Sequence, residues 1–176
     1  VWEERADRAR RDTAALAADG LGVSDLHTAA IRLIDRTVGT DLTCWATIDP
    51  ETLVISAMTG ARVAPDYERR LGEAEYSADE PHRYATLALR KQPMARLSDL
   101  PERDRSRSIR FTEVWRPLGV NQELRVLFLG DGACWGGAGM VRTGRDFTDR
   151  VTTSLPWWRQ PLPVRPDWRC ARKRAV

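Results

Sequence analysis

Two apolar runs, Glu123–Leu129 and Ala133–Val141, flank Gly130, Asp131 and Gly132. Runs of this length on either side of a Gly-Asp-Gly turn predict a β-hairpin. The second run carries Gly136, Gly137 and Gly139. Glycine weakens a strand, so three in one strand predict that another group packs close against the backbone there. A small-molecule sensor domain and a folded enzyme core both accommodate such a hairpin. The rest of the chain decides between them.

Upstream of the hairpin the periodicity changes. Residues 3–19 predict a helix of alanine, arginine and acid, stopped by Gly20 and Gly22. Ser24 opens a second helix. Its Leu26, Ala29, Ala30, Leu33, Ile34 and Val38 keep helical spacing, and Gly39 ends it. Asp41–Asp49 alternates and is rich in β-formers, which predicts a strand. Asp49-Pro50-Glu51-Thr52 is a turn with proline at its second position, and Leu53–Thr59 is the returning strand. Pro65–Leu71 and Pro81–Arg90 predict helices that open on proline. Met94–Leu97 is a short strand, and Leu100–Ser108 a charged loop or solvated helix end. Ile109, Phe111, Val114 and Trp115 mark a short helix stopped by Pro117 and Gly119. The order implies an α/β (α+β) domain: one antiparallel sheet with helices packed on one face.

The 176 residues suffice for one domain with a core, plus a tail. No apolar run approaches the ~20 residues that span a bilayer. The charged start, V-W-E-E-R-A-D-R-A-R-R-D, lacks a signal-peptide core, so a cytoplasmic location with no membrane partner is expected. Cys44, Cys134 and Cys170 have no metal-like spacing and are expected as reduced thiols. The net charge of +3 is unevenly spread: residues 151–176 carry +5 and residues 1–150 carry −2. The body therefore has no electrostatic footprint for nucleic acid. Lys91 and Lys173 are the only lysines among 28 basic residues, a bias that points to a GC-rich genome.

Many ordered segments together resemble a known family. Asp41-Leu42-Thr43-Cys44-Trp45 and Asp49-Pro50-Glu51-Thr52-Leu53 resemble the first hairpin of the GAF-like sensor domains of actinobacterial LuxR-type transcriptional regulators. Glu75-Tyr76 with Asp79, Tyr84 and Leu87-Ala88 resembles that family's central helical segment. Pro93–Ser98, Ser106, Ser108 and Arg110 resemble the next. Arg116-Pro117-Leu118-Gly119, Glu123-Leu124-Arg125, Gly132-Ala133-Cys134-Trp135-Gly136, Arg142 and Phe147-Thr148 complete the pattern over residues 14–150. The resemblance implies a GAF-type antiparallel sheet lined by helices. It also implies a sensory role upstream of a C-terminal helix-turn-helix, so DNA would be bound only through that further domain, which is expected to be missing here. Residues 1–150 are thus expected to form the sensory domain, with 1–22 as its N-terminal helix.

Past Arg150 the character changes. Residues 151–176 hold three of the seven tryptophans and four prolines, with no helical period. Trp157-Trp158-Arg159 and Asp167-Trp168-Arg169, read from GC-rich codons in a frame shifted by two bases, give Val-Ala and Leu-Ala. That composition suits the apolar helix the resemblance implies at this place. The expectation is a shifted frame just after Arg150 and no packed helix in 151–176; the competing reading is a natural Pro/Arg-rich tail. Val1 fits either a literally translated GTG start or a fragment.

Catalytic constellations are missing from the sequence. No G-x-S-x-G, P-loop, strand–helix G-x-G-x-x-G or H-E-x-x-H occurs, so no catalytic residue is expected. Two histidines, His27 and His82, and three scattered cysteines do not make a metal site. No cofactor is expected: haem would have only His82 as axial ligand, and Cys44 and Cys134 fall in packed strands unsuited to carry a bilin. A binding reading fares better. Sensor pockets are concave and apolar with a few placed polar groups. The candidates for the wall are Trp45, Tyr76, His82, Tyr84, Trp115 and Trp135, with Arg125 (or Arg116) placed to meet an acidic ligand. The expected partner is a small molecule, with homodimerisation as a further possibility. Alternatives are a stand-alone GAF-like ligand-binding or dimerisation module, and a small enzyme.

Overall fold

A computed structural model of the chain describes residues 2–60 and 63–154. Helix α1 spans Trp2–Ala18 and α2 Val23–Val38. Gly39, in the left-handed region at φ 76°, ends α2 by donating its N–H to the Asp35 carbonyl. Strands β1 (Leu42–Ile48) and β2 (Ile55–Gly60) pair antiparallel. Between them the Asp49 carboxylate accepts the amides of Glu51 and Thr52, both at 3.0 Å. Leu53, predicted to open the returning strand, stands instead in the turn at φ 57°. Helices α3 (Pro65–Tyr76) and α4 (Tyr84–Leu89), strand β3 (Met94–Arg96) and the short helix α5 (Glu102–Arg105) follow. The segment predicted as a short helix, Arg110–Trp115, is a π-helical turn. Its widened spiral shows in the Arg116 amide, which donates to the Phe111 carbonyl at 2.8 Å.

The predicted central hairpin forms from β4 (Gln122–Gly130) and β5 (Ala133–Arg142). Asp131 and Gly132 both take positive φ, 52° and 77°, as a tight hairpin turn requires. All pairings are antiparallel and the sheet order is β2-β1-β5-β4-β3. The four predicted strands and both hairpins are therefore present, with β1 against β5 at the centre and β3 on the far edge.

The sheet is covered on both faces rather than one. On the first face Ala30, Ile34 and Val38 of α2 pack on Trp45, Val126, Phe128, Ala138 and Met140. On the second, Tyr84 and Leu87 of α4 pack on Ala46 and Leu127, while Val114 and Trp115 pack with Val141. Adjacent residues of β1 thus belong to different cores, which follows from the strand's period of two.

The C-terminal boundary also differs from expectation. Asp149–Ser154 forms a last helix, α6, and Val151 is buried in the first core beside Phe147. Residues 151–154 therefore belong to the domain, because Val151 supplies apolar surface that the core takes up. The remainder of the proline- and tryptophan-rich tail lies outside the described residues. No helix among the described residues is long and apolar enough to cross a membrane.

Candidate functional site

The second face of the sheet is not fully filled. Between it and α3 lies a cavity of about 680 Å³. Its floor is one row of strand residues in register: Gly60 on β2, Cys44 on β1, Gly139 on β5 and Arg125 on β4. Two of these four have no side chain, which lowers the floor. Leu71, Gly72, Glu75 and Tyr76 of α3 form one wall. Leu42, Ile55, Val63 and Trp115 supply apolar surface, and Arg110, Glu123 and Tyr84 close the inner end.

The inner end is a buried charge network. Arg125 donates through Nη2 to Glu75 Oε2 at 2.7 Å, while Glu75 Oε1 accepts the Tyr84 amide at 2.6 Å. One carboxylate on the last turn of α3 thereby ties that helix to β4 and to the start of α4. Arg110 Nε donates to Glu123 Oε2 at 2.9 Å, and the Trp115 indole to Glu123 Oε1 at 3.2 Å. Glu80 faces Arg110 at 3.2 Å and also accepts the Ser108 hydroxyl at 2.5 Å and the Ile109 amide at 2.7 Å. These carboxylates are satisfied where the π-helical turn meets the sheet, which is why charge survives so far inside. The Arg125 guanidinium also lies over the Tyr84 ring, 3.7 Å from its centroid.

The titration of these groups follows from their surroundings. Burial alone would raise the Glu123 carboxyl, but Arg110 and Arg125 beside it hold it below the ordinary carboxylate range. Burial pushes the Tyr84 phenol up to about 12 and the Cys44 thiol up to about 11. Cys44 is therefore a neutral thiol, shifted opposite to a cysteine nucleophile.

Four of the seven predicted wall residues meet here: Tyr76, Tyr84, Trp115 and Arg125. Three do not. Trp45 points to the other face, where it stacks between His27 (centroids 5.0 Å apart) and Phe128 (4.1 Å). As the neighbour of Cys44 on β1 it falls on the opposite face of the sheet, in the core beneath α2. Trp135 lies at the hairpin's register shift and donates its indole N–H to the Gly130 carbonyl at 3.1 Å, so it closes the hairpin end. His82 sits in the left-handed region at φ 55°, in the loop before α4. It is half-buried, and its pKa is lowered by burial and by Arg110. Arg116 is exposed. Glu75, Arg110 and Glu123 were not among the predicted site residues. The alternation Glu123-Leu124-Arg125 in an apolar strand was the available signal: two charges on one face of a central strand must find partners.

The chain matches no protein-family model and no curated protein sequence. Its fold does match solved structures. The chromophore-binding domain of Stigmatella aurantiaca phytochrome P1 superposes with a TM-score of 0.53 at 18% identity. That match covers 87% of this chain and 57% of the solved one. A variant of the S. aurantiaca bacteriophytochrome chromophore-binding domain in the Pr state gives 0.54 at 16% identity, covering 88% and 57%. The chain thus spans little more than half the length of these neighbours. The architecture is an α+β, GAF-like fold.

Proposed function

We propose that this chain is the sensory domain of a LuxR-type transcriptional regulator. It holds a small molecule in the cavity between α3 and the sheet and signals occupancy to a helix-turn-helix unit outside residues 1–150. The observation that carries the reading is the cavity itself: about 680 Å³ on the floor of a GAF-like sheet. That volume lies within the ~300–1,000 Å³ usual for small-molecule sites, and aromatic and aliphatic walls with a few fixed polar groups are their usual chemistry. The ordered sequence resemblance over residues 14–150 supports the regulator part. Binding rather than turnover is the activity proposed. Arginine–carboxylate pairs and a neutral thiol position a ligand without activating a nucleophile.

Two measurements test this. Thermal-shift screening of the purified domain identifies molecules that raise its Tm; the rise must vanish in Leu71→Trp, which fills the cavity from α3. Stabilisation that persists in that variant places the ligand elsewhere. The DNA downstream of codon 150, read in all three frames, must encode a helix-turn-helix. If it does not, the regulator reading fails and a stand-alone ligand-binding module remains.

A further inference from the structure

The charges that line the cavity say which class of molecule it accepts, a conclusion that rests on the sensory reading above. Both lining cations are committed. Arg125 is paired with Glu75, and Arg110 with Glu123 and Glu80. The remaining nitrogens of Arg125, Nε and Nη1, are shut off from solvent and offer nothing to a ligand. An acidic ligand therefore finds no free cation among the described residues of the lining. One carboxylate, in contrast, is uncommitted. Glu68 lines the cavity, is exposed, and makes no ion pair or side-chain hydrogen bond among the described residues. Its spacing to Leu71, Gly72, Glu75 and Tyr76 puts it on the cavity face of α3. The lining thus holds Glu68, Glu75 and Glu123 against Arg110 and Arg125, an excess of one negative charge. The thiol of Cys44 on the floor feels that sign. Burial first, then Glu123, push its pKa up to about 11; Glu68 and Asp35 act in the same direction, and Arg125 opposes them.

The free carboxylate and the apolar surface are arranged in line. Glu68 stands on the second turn of α3 at a solvent-facing end, and the wall continues from it through Leu71 and Gly72 to Tyr76, ~12 Å further along the helix. Leu42 and Trp115 add apolar surface, and Ile55 meets Tyr76, whose hydroxyl accepts the Ile55 amide at 3.3 Å. We infer that the cavity takes a cationic amphiphile: an amine whose ammonium stays at Glu68 while its apolar body runs along α3 past Leu71. The ammonium keeps much of its water there, so it escapes the desolvation cost that a charge pays at the buried end among Arg110, Glu123 and Arg125. A carboxylate or phosphate at the same end would face Glu68 with like charge.

Three probes of one shape test this: 2-naphthylmethylamine (cation), 2-naphthylmethanol (neutral) and 2-naphthoate (anion). Dissociation constants come from isothermal titration calorimetry of the intact chain at neutral pH. The amine is expected to bind about fivefold more tightly than the alcohol, the upper range for a charge pair open to solvent, and the carboxylate is expected to bind most weakly. Raising the salt to ~1 M should erase most of the amine's advantage. Glu68→Gln keeps the shape of an exposed helix residue and removes its charge; it should bring the amine within about twofold of the alcohol. Asp66→Asn removes the same charge two residues away, from a side chain that is 94% exposed and outside the cavity lining, and should keep the fivefold preference. Equal binding of amine and alcohol, tightest binding of the carboxylate, an amine preference that survives Glu68→Gln, or one lost equally in Asp66→Asn overturns the inference and leaves the sensory reading intact. Failure of all three to bind, or binding that Leu71→Trp leaves untouched, overturns both.

Discussion

Gly137 is the position where the packing behind the cavity is most exposed to test. A Cβ added there would lie 2.6 and 2.8 Å from Cε1 and Cδ1 of Tyr84 and 2.9 Å from the Val126 carbonyl oxygen. Ordinary carbon contacts need 3.4 Å or more, so either the ring retreats by most of an ångström or β5 moves from β4. Neither is easy. Tyr84 is buried, its amide is held by Glu75, and Arg125 covers its ring. Overpacking of this kind costs ~1–3 kcal/mol, and displacing a desolvated cation–π contact adds up to ~2, so Gly137→Ala should destabilise by about 2–4 kcal/mol. At about 2–4 °C per kcal/mol for a domain of this size, Tm should fall by roughly 5–15 °C. Urea unfolding followed by tryptophan fluorescence gives the free energy and thermal circular dichroism the Tm. Tyr84→Leu should be destabilising alone but should relieve the clash, so the double variant is less damaged than the sum of the singles. Gly72→Ala is the control. Its Cβ meets nothing within 4 Å on a helix, and it should stabilise by about 0.5–1 kcal/mol. If Gly137→Ala unfolds within 0.5 kcal/mol of the original chain, the account of why β5 is glycine-rich is wrong.

Arg110→Met removes the charge partner of the buried Glu123 and should cost about 3–5 kcal/mol in urea unfolding, with much of the loss restored by adding Glu123→Gln. Burial lowers the pKa of both His27 and His82, so the unfolded chain binds more protons as pH falls through 6.5. The stability they confer is full above that pH and is lost below it, down to the folded values. The urea midpoint should therefore drop between pH 7.5 and 5.5, and His27→Gln and His82→Gln should each flatten the slope; an unchanged slope in both contradicts the assignment. Val151→Ala should cost about 2 kcal/mol, from roughly 0.8 kcal/mol per buried methyl group plus a residual cavity. A neutral effect would return residues 151–154 to the tail.

The hairpins were legible because turn chemistry and alternation are local. Asp49–Thr52 and Gly130–Gly132 announce their turns with residues that only a turn explains, and β1, β4 and β5 alternate or run apolar. Which face of the sheet holds the cavity was not legible. Trp45 and Cys44 are neighbours in sequence, and nothing local tells which of two opposite faces α2 will cover. That choice is made by Ala30, Ile34 and Val38 on the preceding helix, through packing that the strand's own pattern does not encode. The same limit hid the charge network. Glu75, Arg110 and Glu123 come from α3, the π-helical turn and β4, and the fold alone brings them together. The tail boundary failed for a different reason. Composition changes at Arg150, but the helical turn runs four residues further and seats Val151 in the core.

The tryptophan indoles give the most direct test that the ligand site lies on the α3 face. In a ¹H–¹⁵N correlation spectrum, titration with a molecule found by the thermal-shift screen should shift the indole N–H of Trp115, which lines the cavity and bonds Glu123, together with the amides of Cys44, Gly60 and Gly139. The indole of Trp45, stacked between His27 and Phe128 beneath α2, should stay within about a linewidth of its starting position. Saturable shifts at Trp45 and the amides of α2, with Trp115 and the floor residues unmoved, would contradict the account.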